Sequence, residues 1–116
     1  MSGNCWIKSG HVNSMWVNGS AASTTTTGTG DAVYKDAPKT TFQATVVGTG
    51  AVTATVVIDC SNDGTNWCST ALGTISLSGT TSSSDGFTTD APWKYVRARV
   101  TAISGTNATV TCLIGA

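Results

Sequence analysis

Glutamate is absent from this chain, and histidine occurs once, as His11. Paired-carboxylate catalysis would have to bring two of the six aspartates into one cleft. A histidine base would have to be His11, which lies outside the strand-forming part of the chain. No Gly-x-Ser-x-Gly elbow is present. These shortages argue against an enzyme, and no catalytic residue or cofactor is expected. Charge is scarce too: 10 % of residues are charged, against about 25 % in a typical soluble protein. Six basic and six acidic residues cancel, which argues against a basic nucleic-acid-binding patch. Solubility then rests on hydroxyls and amides, and a nearly neutral surface resists self-association poorly. Either the fold tolerates this, or partners cover much of it.

Long apolar runs are also missing. No segment approaches the roughly 20 residues of a membrane span, and Met1–Lys8 lacks the apolar stretch that export requires. The expectation is a protein that is made and kept in a cytoplasm, without a membrane partner. Its four cysteines, Cys5, Cys60, Cys68 and Cys112, should then be reduced. They form no close CxxC pair, and Asp59, Asp63, Asp85 and Asp90 lack the spacing of a calcium loop. No metal is expected. Cys60 and Cys68 flank one loop, so a disulfide between them stands as the alternative to two free thiols.

What the chain has in abundance is threonine, serine and glycine, at 22, 13 and 13 residues. Threonine's branched β-carbon suits a pleated surface, and glycine and serine mark turns. The length predicts one domain. Residues 1–30 read as an N-terminal arm and a Ser/Thr/Gly-rich linker. They hold two short aromatic-apolar pieces, Cys5-Trp6-Ile7 and Met15-Trp16-Val17, and then a tract without a large apolar side chain. Residues 31–116 read as the folded domain. Alternation of period two puts Phe42, Ala44 and Val46 on one face. It does the same for Val52, Ala54, Val56, Ile58 and Cys60, with Thr53, Thr55, Val57 and Asp59 opposite. Gly48-Thr49-Gly50 between these runs reads as a hairpin turn. Ser61–Asn66 is a second turn. Ile75 and Leu77 alternate, residues 78–86 read as a loop, and Phe87-Thr88-Thr89 reads as a short strand. Val96, Ala98 and Val100 face inward against Tyr95, Arg97 and Arg99. After a turn at Ser104–Asn107, Ala108, Val110, Cys112 and Ile114 also face inward. The predicted class is all-β: an antiparallel β-sandwich or jelly-roll-like domain of seven or eight short strands with an extended N-terminal arm.

Two blocks carry a family resemblance: Ser61-Asn62-Asp63-Gly64-Thr65-Asn66-Trp67, and Asp90–Thr101 closed by Ser104–Val110. Together they resemble small structural proteins of tailed bacteriophage virions, among them capsid decoration (cement) proteins. The resemblance covers about residues 38–116. It implies a non-enzymatic virion protein, synthesised in the host cytoplasm. Such a protein would sit on the outer capsid surface between major capsid subunits, as a homodimer or homotrimer, and hold the shell against internal pressure. Other readings are a tail-tube, head-tail joining or fibre component, or a carbohydrate-binding β-sandwich using Trp67 and Trp93. The candidate partner-binding residues are Trp6, Met15 and Trp16 in the arm and Tyr95, Arg97 and Arg99 on the outer stripe. Aromatics, methionine and arginine are enriched in interfaces. The plainer readings are self-packing of the arm, a solvated stripe, and Trp67 and Trp93 as caps on the core.

Overall fold

Three strands of this protein are too long to be straight. The computed structural model describes residues 6–7, 10, 12–15, 23–30 and 32–116. Its strands are β1 (Trp6–Ile7), β2 (Val12–Ser14), β3 (Ser23–Thr24), β4 (Gly28–Thr29), β5 (Val33–Lys35), β6 (Thr40–Ser61), β7 (Gly73–Thr89) and β8 (Tyr95–Gly115). Extended at about 3.3 Å per residue, the 22 residues of β6 would reach roughly 73 Å. The longest dimension of the molecule is 39 Å, so β6 must turn a corner.

Its neighbours turn with it. Thr40–Val47 pairs with Ser82–Thr89 of β7, and Ala51–Ile58 pairs with Gly73–Thr80. On the other side, Thr41–Val47 pairs with Thr109–Gly115 of β8, and Thr53–Ser61 pairs with Tyr95–Ser104. The register shifts in between, near Gly50, Thr81 and Gly105, all three at positive φ. Gly48-Thr49-Gly50, residues 78–86 and Ser104–Asn107 are therefore not hairpin turns or loops, as the sequence pattern suggests. They are three aligned corners in a single bent sheet. A glycine-rich break supplies the positive φ for either outcome, and the partner strands decide which one forms. The true reversals are the Asn62–Leu72 loop, with Gly64 at φ +74°, and the stretch Asp90–Lys94.

β2, β3, β4 and β5 each pair antiparallel with β8, at successive positions from Gly115 back to Tyr95. Bonds from the Met15 N–H to the Cys112 carbonyl at 3.0 Å and from the Gly30 N–H to the Ala98 carbonyl at 2.7 Å extend these pieces. The described parts of residues 12–35 thus follow the far edge of β8, so that this part of the arm and linker packs on its own domain. Edge pairing needs only backbone groups, so small hydroxyl side chains suffice. β1 pairs parallel with β5. The order across the sheet, antiparallel but for β1, is β1-β5-β8-β6-β7, with the last strand inserted between β5 and β6.

Each side chain predicted to face inward is buried, in a single core cluster. Val33 and Met15 join it. The bend brings distant parts of one strand together: the Phe87 ring occupies the space where a side chain at Gly73 would lie. It also packs on Phe42 at 5.2 Å between ring centroids. Full burial of a large aliphatic or aromatic side chain stabilises by about 1.5–3 kcal/mol, so this shared core holds the corner closed.

Candidate functional site

Asp59 sits on the outward side of β6, directly opposite Arg97 of β8. Two residues further along β8, Arg99 projects from the same face. Both guanidinium groups converge on the one carboxylate. Arg97 Nε donates to Oδ2 at 3.0 Å, Arg99 Nε donates to Oδ2 at 3.0 Å, and Arg99 Nη2 donates to Oδ1 at 3.1 Å. The Asp59 side chain is 5 % exposed beneath them, while those of Arg97 and Arg99 remain 27 % and 40 % exposed. Burial pushes the Asp59 carboxyl up, but hydrogen bonds from Arg99 and Arg97, and their charges, outweigh it and hold it below the usual carboxylate range. The bond to Asp59 raises Arg99 in turn.

The loop after β6 completes the cluster. Ser61 Oγ donates to the Asn66 carbonyl at 2.7 Å and accepts the Gly64 N–H at 3.0 Å. Asp63 Oδ1 accepts the Thr65 and Asn66 N–H groups at 2.9 and 2.8 Å, and Oδ2 accepts the Asn66 side-chain amide at 2.9 Å. This closed turn swings Trp67 back over β8, where its ring lies 4.3 Å from the Arg97 guanidinium carbon. The same loop lays Gly64 against the Tyr95 ring. Tyr95 meets Tyr34 edge to face at 5.4 Å. The outer face of β8 thus carries an aromatic-flanked, doubly basic platform around one buried carboxylate.

The other sequence candidates fall elsewhere. Met15 was named as a partner-binding residue of the arm, with self-packing of the arm as the other reading, and it self-packs. It is fully buried, and its Sδ contacts the Cys112 thiol at 3.6 Å. Pairing of its backbone with β8 turns the side chain into the core. Trp6 pairs through its backbone with Tyr34; Trp16 and His11 lie outside the described residues. Trp93 packs against the core, as a cap would, whereas Trp67 is held by Arg97. Cys60, Cys68 and Cys112 are free thiols. Burial, reinforced by a hydrogen bond with Cys68, pushes the Cys60 thiol up to about 11, and burial pushes that of Cys112 up to about 12. Lys35 is buried, with its Nζ donating to the Ala91 carbonyl at 2.8 Å, and burial pulls its pKa down. Asp59 and Trp67 are the site residues that the sequence stripe left out. Alternation already placed Asp59 on an outward face, but the β6–β8 register that sets it against the arginines joins residues 38 and 40 positions apart.

A scan against protein-family models gives no match, and neither a search of curated proteins nor one of solved structures does.

Proposed function

We propose that this chain is a non-enzymatic structural protein of a tailed-phage virion, a decoration protein that binds the outer capsid surface and reinforces the shell. The observation that carries the reading is the Asp59–Arg97–Arg99–Trp67 platform. Asp59 and Trp67 hold both guanidinium groups in place, yet most of the N–H donors of those groups stay free. Arginine donors fixed in advance lose little freedom on binding, which favours recognition of carboxylates. An acidic face of the major capsid protein is the matching partner, with sister copies of this chain beside it. The resemblance of the loop and of the β8 block to decoration proteins supports the same assignment. The bent sheet is best described as a two-layer sandwich, supported by the Phe87–Gly73 contact across the corner. Its strand order differs from the 4-1-2-3 order of the Greek key from which jelly rolls are built.

Cosedimentation with purified capsids tests the function. The wild-type chain should pellet with capsids at a saturating copy number. Arg97→Ala with Arg99→Ala and Asp59→Asn, a triple change that leaves no buried charge unpaired, should lower occupancy by about tenfold or more, as expected when charged contacts at an interface are lost. Undiminished occupancy would remove the platform from the interface. Sedimentation with detached tails instead would move the protein to the tail.

A further inference from the structure

The two edges of the sheet are unlike. β1, at one edge, is two residues long, and a short edge strand is one of the usual guards against pairing with another chain. β7, at the other edge, runs 17 residues, and among the described residues it pairs only with β6. Its two halves also differ. Past the corner, Asp85 puts a charge on the edge, and its Oδ1 accepts the Gly86 N–H at 2.8 Å. At the corner, Ser83 Oγ accepts the Ser78 N–H at 3.3 Å, which marks that amide as pointing away from β6. Backbone groups alternate in direction along an antiparallel ladder. Thr74 and Ser76 therefore also turn their N–H and C=O groups toward the open edge. The stretch Gly73–Gly79 contains no charge and no proline. Its Ile75 and Leu77 are buried, and Thr74 and Ser76 are exposed. Among the described residues, none of the customary guards of an edge strand protects this half.

We propose that the Gly73–Leu77 edge is a self-pairing interface: a second copy of this chain adds its own β7 antiparallel, about a two-fold axis beside Ile75. In that register Thr74 faces Ser76 of the other copy, and Ser76 faces Thr74. Each pair exchanges N–H···O bonds in both directions, so the outward groups of both residues are satisfied on both copies. The occupant is a second copy because the register is its own complement, with an isologous two-fold. In addition, an uncharged edge on a chain of zero formal net charge presents no repulsion to its own image. The Ile75 side chains of the two copies then lie side by side, and the two cores abut across the axis. A contact this narrow gives weak, concentration-dependent association. The inference specifies the sister-subunit contact of the proposed function and rests on that reading for its use in a shell.

Sedimentation velocity over a concentration series, combined with residue-resolved amide exchange, tests the interface. The wild-type chain should shift from monomer to dimer. Exchange at Thr74 and Ser76 should slow by about tenfold or more as concentration rises, as expected when pairing closes an edge. Ser76→Pro removes an outward N–H and leaves the β6 ladder intact, so it should stay monomeric with an unchanged melting transition. If that variant fails to fold, the wild-type exchange pattern decides alone. A monomer at every concentration, or a dimer in which Thr74 and Ser76 exchange freely, would overturn the interface. A monomer that still decorates capsids overturns the interface alone, and a dimer that ignores capsids overturns the decoration reading alone.

Discussion

Asp59 accepts three hydrogen bonds from two arginines, and its carboxyl is held below its ordinary value of 3.8. Such a group binds a proton less readily in the folded chain than in the unfolded one. Its contribution to stability is therefore complete above the unfolded value and is lost as pH falls toward the folded one. Asp63 acts in the same direction, lowered by the Asn66 side chain, the Asn66 and Thr65 amides and Ser61. The melting temperature should be nearly level between about pH 5 and pH 7 and should fall below about pH 4. Asp59→Asn should be less stable at pH 7 by about 2 kcal/mol, the scale of hydrogen bonds to a charged group. The larger cost of stranding a buried charge does not apply, because both arginines are exposed enough for water to take over their donors. The variant should also show a shallower acid slope, with the Asp63 part remaining. Thermal melts from pH 2 to pH 7 check both; an unchanged slope would mean that the arginines do not hold Asp59 ionised.

At the scale of elements, the corners carry the fold. Gly105 stands at φ +124°, and a side chain there would strike the Ala51 carbonyl and Val52. Gly50, at φ +71°, faces open space. Gly50→Ala should therefore cost only the backbone strain, about 1 kcal/mol. Gly105→Ala adds a clash with backbone to a conformation that excludes nearly every other residue, and it should cost about 3 kcal/mol or more. Urea unfolding of the two variants checks the order; equal costs would mean that the corner yields freely. These same corners mark the limit of what the sequence makes legible. Alternation identified the buried face of every long strand, from Phe42 to Ile114, because a period of two is a local property. It cannot tell a reversal at Gly48-Thr49-Gly50 from a bend, because that choice depends on whether residues 51–60 find β7 and β8 or fold back on residues 41–47. The candidate site divides the same way. Arg97 and Arg99 were visible as a stripe, whereas their partner Asp59 depended on a register between strands far apart in the chain. The choice between docking and self-packing of Met15 stayed open for a related reason: nothing local shows that its segment has an edge of β8 waiting for it.

Across the whole molecule, β8 is the strand on which the rest depends. It lies between β6 and the row formed by β2, β3, β4 and β5, and among the described residues no strand pairing joins that row to β6 directly. Without residues 95–116, β6 and β7 remain a bent two-stranded ribbon, and Val33 and Met15 lose the strand that carries them into the core. A two-stranded ribbon is marginal in water. A chain ending at Lys94 should therefore show little cooperative strand structure. Pairings so distant in sequence also form late and slowly, so the native sheet closes only when the last strand arrives. Adding a peptide of residues 95–116 to the 1–94 fragment should restore the far-ultraviolet spectrum of the intact chain and a single cooperative melt. A 1–94 fragment that melts cooperatively by itself would show that the ribbon is a folding unit and that β8 merely docks on it.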